Sequence, residues 1–219
     1  MKTAAALTAA LIALSTSAEA REIDVAAGAA RLTSRSASFD AVSVDDGWTL
    51  GAVEVAVEAM ELPLVDRLHV ELAYTAGSTS AIDFDQFEAR LHLDTIHLGA
   101  RATRLVSARV RAFVHADIGL TFGKLILEDA TATATPIRDR AVDLSAFGGA
   151  GAEIAVFRFP NLDLGARVEL GYFLSGDLAF KAEPDHPDDG LARLPTYAAE
   201  LGSIDPSGVM ARLTMVGRF

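Results

Sequence analysis

His92, His97 and His115 each have an acidic residue two or three positions away, and these pairs are candidates for acid–base chemistry. A histidine oriented by a carboxylate can activate a hydroxyl for attack, provided that a serine lies within hydrogen-bond reach. Ser175 lies towards the far end of its segment, and the other serines cluster in predicted loops. We therefore expect no catalytic site and no enzyme activity.

A second group of ligand-type residues runs from Glu183 to Gly190 and reads EPDHPDDG. Several carboxylates near a glycine can hold a hard cation such as Ca²⁺. The spacing does not match the Asp-x-Asp-x-Asp-Gly pattern with its later glutamate. We interpret this stretch as a solvated acidic loop, and the sequence predicts neither a metal site nor a cofactor.

The elements that position these residues are predicted to be strands, because apolar and polar residues alternate along most of the chain. In the last twelve residues, Gly208 to Phe219, one face is free of charge and the other carries Arg212 and Arg218. Between residues 53 and 58, three valines alternate with Glu54, Ala56 and Glu58. Only an extended strand can use a period of two.

The alternation predicts eight strands, at residues 22–32, 48–62, 67–76, 84–105, 110–127, 144–159, 162–178 and 208–219. In the fourth, Phe87, Ala89, Leu91 and Leu93 are predicted to face outward, after which the phase slips near Thr95 and predicts a β-bulge. Short turns at 63–66, 106–109 and 160–161 alternate with longer polar connections at 33–47, 77–83, 128–143 and 179–207. An even strand count with this alternation of loop lengths predicts an all-β fold, a closed antiparallel eight-stranded transmembrane up-and-down β-barrel.

The rival fold is a soluble eight-stranded calyx such as a lipocalin, and the two differ in which face holds the charges. A calyx places apolar residues inside and charges outside. Several segments here have one face with no charge at all, which favours charges inside and a lipid-facing exterior.

In a transmembrane barrel the charged face of each strand points inward. The predicted interior residues are Glu54, Glu58, His69, Glu71, Glu88, Arg90, His92, Asp94, Arg101, Arg111, His115, Asp117, Glu153, Arg167, Glu169 and Arg212. Turn positions predict that Glu58 lies near His69, His97 near Asp117, and Glu153 near Arg167. Buried charges need partners or water, so we expect a salt-bridged plug, with a narrow conducting path as the alternative.

Residues 1–20 are predicted to be a signal peptide rather than part of the fold. Lys2 supplies the positive start, Ala4 to Leu14 the apolar run, and Ala18-Glu19-Ala20 a cleavage site of small residues. The formal charge of −11 argues against a nucleic-acid partner. With no cysteine, disulfides and thiolate metal sites are excluded.

The signal peptide, strand count, loop asymmetry and terminal Phe219 together resemble small OmpA/OmpX-type bacterial outer-membrane barrels. The resemblance covers residues 21–219, and we expect one barrel domain without a following peptidoglycan-binding domain. It implies a monomer in the outer membrane, in contact with outer-membrane lipid and lipopolysaccharide. It also implies that the barrel assembly machinery reads Phe219 after periplasmic chaperones deliver the chain.

What such a barrel does is left open by the resemblance. The first hypothesis is a structural or surface-interaction role through acidic external loops, in which Asp40, Asp45 and Asp46 reach lipopolysaccharide through divalent ions. A narrow porin-like channel is the second, and a lipid-modifying enzyme the third, although no motif of the known barrel enzymes is present. Aromatic residues near the strand ends are predicted to form girdles at the two membrane interfaces. These are Trp48, Tyr74, Phe122 and Tyr172 at the outer ends, and Phe157, Phe159 and Phe219 at the inner ends.

Overall fold

The alternating segments all form strands in the structure, a computed structural model that describes residues 22–34, 47–83, 87–129, 137–182 and 199–219. The strands are β1 (Ile23–Ser34), β2 (Gly47–Met60), β3 (Arg67–Asp83), β4 (Phe87–Leu105), β5 (Val110–Asp129), β6 (Ile137–Phe159), β7 (Leu162–Ser175), β8 (Leu178–Ala182), β9 (Ala199–Ile204) and β10 (Gly208–Arg218). The predicted signal peptide, the acidic loop 183–190 and the aspartates at 40, 45 and 46 lie outside the described residues.

Eight strands close into an antiparallel barrel in the order β1–β10–β7–β6–β5–β4–β3–β2, so the first and last strands pair. We can follow register partners from strand to strand around the barrel, starting at Asp24 of β1 and passing first to β2. The path returns to β1 at Ser34, ten residues further along. For eight strands, that stagger corresponds to a strand tilt of about 40°. The predicted fold class is confirmed. Among the described residues, no helix is long and apolar enough to cross a membrane.

In the half of the barrel that carries the short turns, charged side chains point inward and apolar side chains outward. Consecutive residues of β7 show this most clearly: Arg167 and Glu169 are each 2% exposed, whereas Val168 and Leu170 are 59% and 61% exposed. A soluble calyx has the opposite arrangement. Exposed apolar residues around buried charges are the pattern of a barrel in lipid.

The other half of the barrel, towards the long connections, has an apolar interior that the sequence did not predict. Its buried residues are Ala30, Leu32, Trp48, Leu50, Ala89, Leu91, Leu93, Leu125, Ala141, Phe147, Phe173, Leu178, Phe180, Ile204 and Met210. Three of them come from β8 and β9, which form a hairpin. Leu178 was predicted as the end of the seventh strand, which stops at Ser175, and the rest of the hairpin as part of the loop 179–207. A Cβ atom on Gly123, an inward position of β5, would lie 2.8 Å from Leu178 Cδ1. The hairpin therefore closes this end of the barrel, which we call the capped end.

The predicted β-bulge near Thr95 is wrong, because β4 pairs with β3 and β5 without any register shift. Its odd-numbered residues from Ala89 to Thr103 face inward, so Ala89, Leu91 and Leu93 are buried rather than outward, and the side chain of Phe87 lies outside the described residues. The apparent phase slip reflects a change of surroundings. Towards the turns the outer face is apolar, and towards the capped end the same outer face is polar, as on an ordinary soluble sheet.

β3, β5 and β6 are longer than predicted, and all four central strands are much longer than a bilayer crossing requires, which explains this change. β3, β4, β5 and β6 contain 17, 19, 20 and 23 residues, whereas about 9–11 tilted residues cross a bilayer. Twenty residues reach about 50 Å along the barrel axis, roughly twice the height of an apolar band. The predicted loop 77–83 is therefore strand, and so is most of the predicted loop 128–143. Trp48 is 3% exposed and belongs to the apolar interior, so it cannot join an outer girdle.

Candidate functional site

Six charged side chains at the centre of the turn-side half form an alternating ion-pair network, which we call the arginine cluster. Its members are Asp24, Glu54, Glu153, Arg101, Arg167 and Arg218. Asp24 accepts from Arg101 at 2.6 Å and from Arg218 at 2.9 Å. Glu54 bridges Arg101 and Arg167. Three carboxylates thus balance three arginines within a space closed to water.

An aromatic ring supports this cluster from one side. The guanidinium carbons of Arg101 and Arg167 lie 6.0 Å and 5.4 Å from the centroid of the Phe113 ring. The ring fits because the facing residue is Gly151, where a Cβ would come within 2.5 Å of Phe113 Cζ. Cation–π attraction of this kind contributes about 0.5–2 kcal/mol. The two arginines are therefore held in place by carboxylates and by a ring face.

Nearer the short turns, a second group surrounds Glu22, and we call it the turn-end cluster. Its members are Glu22, Glu58, Arg67, Arg111 and His69. The Glu22 carboxylate contacts Arg67, Arg111 at 2.8 Å and, from the arginine cluster, Arg218 at 2.6 Å. Burial alone would raise the pKa of Glu22, but contacts with His69, Arg218 and Arg111 outweigh it and hold that pKa well below the usual range. Glu22 is therefore a carboxylate that acid protonates only with difficulty.

A third group, the histidine cluster, lies between the arginine cluster and the apolar interior. Its members are Glu71, His97, His115, Asp117, Ser145, Glu169 and Arg212. Three carboxylates converge on His115: Glu71 and Asp117 at its Nε2, and Glu169 at its Nδ1. The Arg212 guanidinium lies 4.1 Å from the Phe147 ring centroid. One long contact, 3.4 Å from Arg101 to Glu71, joins this group to the arginine cluster.

Ser145 is a functional-type residue that the sequence analysis placed among the loop serines. Its Oγ lies 2.7 Å from His97 Nε2, and His97 Nδ1 lies 2.7 Å from Asp117 Oδ1, the order of groups in a serine hydrolase. The serine was overlooked because β6 begins seven residues before the predicted start, which places Ser145 well inside the strand. His97 stacks on Phe173 at 5.8 Å beneath the apolar interior, so an acyl substrate has no open approach along this side. We interpret the contact as a buried hydrogen bond.

Twelve of the sixteen predicted interior residues lie inside the barrel. They are Glu54, Glu58, His69, Glu71, Arg101, Arg111, His115, Asp117, Glu153, Arg167, Glu169 and Arg212. The other four, Glu88, Arg90, His92 and Asp94, lie on the outer face of β4 near the capped end, because the strand has no bulge. Further members of the clusters were left out of the predicted set although the alternation places them on inward faces. These are Glu22, Asp24, Arg67, His97 and Arg218.

The predicted pairs also meet. Glu58 and His69 are register partners, and His97 reaches Asp117 at 2.7 Å. Glu153 Oε2 accepts from Arg167 at 3.1 Å. Sequence positions of the short turns were therefore enough to place these neighbours.

Outside the barrel, just beyond the apolar band, basic residues from three neighbouring strands form a patch. His92, Lys124 and Arg140 make one row across β4, β5 and β6, and Arg90 and Arg138 flank Ile126 in the next row. We call these five basic residues the basic patch. The row on the band side contains Asp94, Phe122 and Val142, and the row below that contains Ile96, Leu120 and Leu144. In a protein of net charge −11, this is a local surface of positive charge next to an apolar one.

The fold is similar to solved structures of bacterial surface proteins. One is the crystal structure of Ail, the attachment invasion locus protein of Yersinia pestis, in complex with the heparin analogue sucrose octasulfate. It shares 12% identity with a TM-score of 0.50, over 91% of this chain and 99% of Ail. Another is Neisserial surface protein A (NspA), with 12% identity and a TM-score of 0.47, over 91% of this chain and 96% of NspA.

Neither a protein-family model nor a curated protein matches the sequence. At 12% identity, the likeness to Ail concerns the fold. This chain is a small eight-stranded β-barrel of the architecture found in Ail.

Proposed function

We propose that this chain is an integral outer-membrane β-barrel whose interior is a closed plug and whose outward-facing end acts as an interaction surface. The observation that carries the proposal is the inverted arrangement around the turn-side half, with apolar residues exposed and charges buried. Large apolar residues such as Ile118, Val168 and Leu213 are 72%, 59% and 61% exposed. Contiguous apolar surface of this kind is unfavourable in water and is stabilised in lipid.

The interior supports a structural or binding role more than transport. Each half of the barrel is filled by a different chemistry: ion pairs in the turn-side half and packed apolar side chains in the capped half. A cleft of about 600 Å³ opens near the short turns, and it is lined by residues that include Arg67 and Arg111 of the turn-end cluster. A solute entering there meets paired charges rather than a pore.

The basic patch gives the outer end a specific partner chemistry, the phosphate groups of lipopolysaccharide. In the outer membrane, the capped end faces outward, so the patch lies where the apolar band meets the headgroups. Lys124, Arg138 and Arg140 project from one sheet face beside Arg90, whose guanidinium is paired with Glu88 at 2.8 Å. Arginine binds phosphate through paired N–H donors, and lysine binds it as a point charge.

This assignment differs from the acidic loops expected to bridge lipopolysaccharide through divalent ions. The aspartates of that hypothesis lie outside the described residues. The basic patch needs no bridging ion, because its charge already has the sign that attracts phosphate. Direct contact and bridging therefore differ in one measurable respect, the requirement for divalent cations.

The test compares lipopolysaccharide binding of detergent-purified barrels in the presence of a chelator. We expect Arg138→Gln/Arg140→Gln to weaken binding by about tenfold or more, as the loss of about 1.4 kcal/mol would do. The matched control, Arg104→Gln/Arg109→Gln, removes two exposed arginines near the short turns and is expected to bind like the wild type. Equal binding by both variants, or binding that disappears whenever divalent ions are chelated, would contradict direct phosphate contact.

A further inference from the structure

We propose that the histidine cluster binds one divalent transition-metal ion through His115 Nε2 and the carboxylates of Glu71 and Asp117. One atom from each of these residues lies within 4.8 Å of the other two. Nε2 is 2.7 Å from Glu71 Oε1 and 2.9 Å from Asp117 Oδ2. The three side chains come from β3 and β5 and are almost completely buried. The site is thus a convergence of three ligand-type groups away from water.

The polar atoms at this point lack the hydrogen bonds that buried groups normally make. Among the described residues, neither oxygen of Glu71 has a hydrogen-bond partner, although the residue is only 1% exposed. Both oxygens of Asp117 and Nε2 of His115 also have no hydrogen-bond partner among the described residues. They approach closely without hydrogen-bond alignment, since one N–H cannot point at two carboxylates. Glu71 and Asp117 have ion-pair contacts with His97, His115 and Arg101 but no aligned hydrogen bond, and an ion between the three ligand groups would give each of them a directed bond.

The other ring nitrogen of His115 is already engaged in the way that metal-binding histidines require. Nδ1 lies 2.7 Å from Glu169 Oε1 in hydrogen-bond geometry, and Glu169 Oε2 is 3.5 Å from Arg212 Nη1. A proton on Nδ1, donated to Glu169, leaves the Nε2 lone pair directed at Glu71 and Asp117. Ligating histidines nearly always donate their second nitrogen to a carboxylate in this manner. The orientation of the ring is therefore fixed independently of the ligands.

The buried carboxylates outnumber the buried arginines by two, and this excess lies in the histidine cluster. The ion-paired network of the described residues contains eight carboxylates, Glu22, Asp24, Glu54, Glu58, Glu71, Asp117, Glu153 and Glu169, and six arginines, Arg67, Arg101, Arg111, Arg167, Arg212 and Arg218. The arginine and turn-end clusters together hold five of each. The histidine cluster holds three carboxylates and one arginine. A single divalent ion supplies the deficit of two charges.

The ligand set selects the class of ion. One imidazole nitrogen with two carboxylates suits Zn²⁺ or Mn²⁺, whereas Ca²⁺ prefers six to eight oxygen ligands. Ligands at about 2.0–2.1 Å from a tetrahedral ion lie about 3.3 Å apart, so the three groups need to separate by about half an ångström. The competing way to neutralise the site is to protonate His97 and His115. Two protonated histidines would leave no room and no free lone pair for a metal ion. A bound metal and protonated histidines can therefore be distinguished by measuring metal content.

The experiment measures metal content in an untagged barrel. Because His186 lies among the acidic residues 183–190, every variant carries His186→Gln to remove that competing ligand. The chain is refolded into detergent with Zn²⁺, separated from free metal by gel filtration, and analysed for zinc and protein. We expect about one zinc per barrel, reduced by more than about tenfold in Glu71→Gln, a loss typical of disrupted metal sites. The matched control, Glu153→Gln, removes a buried carboxylate from the balanced arginine cluster and is expected to keep its zinc.

Two results would overturn the metal site. One is a barrel refolded with Zn²⁺ that carries none, which is the outcome expected for two imidazolium ions. The other is equal zinc in Glu71→Gln and Glu153→Gln. If Glu71→Gln does not fold, Co²⁺ in the His186→Gln barrel with intact Glu71 provides the test. A cobalt absorption spectrum of low coordination number with a nitrogen ligand supports the site, and the spectrum of hydrated Co²⁺ contradicts it.

Discussion

Asp24 near the start of β1 and Arg218 at the end of β10 are direct register partners, and Arg218 Nε lies 2.9 Å from Asp24 Oδ1. The pair crosses the seam where the barrel closes, between residues separated by 194 positions in sequence. Asp24 also accepts from Arg101 on β4 at 2.6 Å. One carboxylate therefore links the closing strands to the opposite wall of the barrel.

Removing that carboxylate should strongly destabilise the barrel. Asp24→Asn keeps the size of the side chain but leaves three arginines facing two carboxylates, and breaking a buried pair in this way costs about 3–5 kcal/mol. The free energy of unfolding is measured by urea titration in lipid vesicles. Glu88→Gln, which disrupts the solvent-facing pair with Arg90, serves as the control and should leave the midpoint unchanged.

The same seam predicts non-additivity. In Asp24→Asn/Arg218→Gln, the second change removes one of the three arginines that the first change left facing two carboxylates, so the double variant should lose less stability than the sum of the single variants. Strict additivity would show that the two side chains do not interact across the seam.

The straight course of β4 makes a labelling prediction, which is simple because the chain contains no cysteine. We expect His92→Cys to react with a membrane-impermeant maleimide on intact cells, and Leu93→Cys, at a position that is 1% exposed, to remain unlabelled. A bulge near Thr95 would reverse the two results.

Because the interior is filled, we predict that the barrel does not conduct ions. In a planar bilayer the purified barrel should show no sustained conductance, because the ion-pair clusters and the apolar interior occupy successive layers of the lumen. Reproducible ohmic steps that change in Glu153→Gln would favour the narrow channel over the closed plug.

Phe219 remains a predicted assembly signal, on the basis of resemblance to other outer-membrane barrels. Its backbone exchanges hydrogen bonds with Ile23, and its side chain is 63% exposed. Deleting it should lower the yield of heat-modifiable barrel in the outer membrane. Phe159→Ala, at another exposed aromatic near a short turn, is the control for a general loss of surface aromatics. Unchanged yield after the deletion would contradict a signalling role.

The strands and their facing in the turn-side half follow from the sequence because lipid imposes one rule on every segment there. In β7 and β10, an uncharged face alternates with a charged one, and the structure has the same faces. Short turns then fix the register, which is why Glu153 and Arg167 could be paired in advance. Local alternation and turn length carry this part of the fold.

The facing of residues in the capped half could not be derived in the same way. Where the strands leave the apolar band, polar residues face outward and apolar residues face inward. Leu91 and Leu93 look lipid-facing next to Glu88 and Arg90, yet beyond the band apolar residues belong inside. Of the histidine cluster, only the His97–Asp117 pair could be placed from the sequence, because Glu71, Glu169 and Ser145 meet His97 and His115 from separate strands. The alternation predicts that most of these side chains face inward. Their height along the barrel axis, however, depends on the stagger of all eight strands.

The central claim is that apolar residues of the turn-side half face lipid and charges face inward, and quenching by brominated lipid tests it directly. In a Trp48→Phe background, which removes the single tryptophan, one variant carries Leu170→Trp on the outer face. Another carries Phe113→Trp on the inner face, two strands away in the neighbouring row. Bromine in the middle of the acyl chains should quench the tryptophan at position 170 strongly and the one at position 113 little. Equal quenching at the two positions, or stronger quenching at position 113, would contradict the inverted barrel.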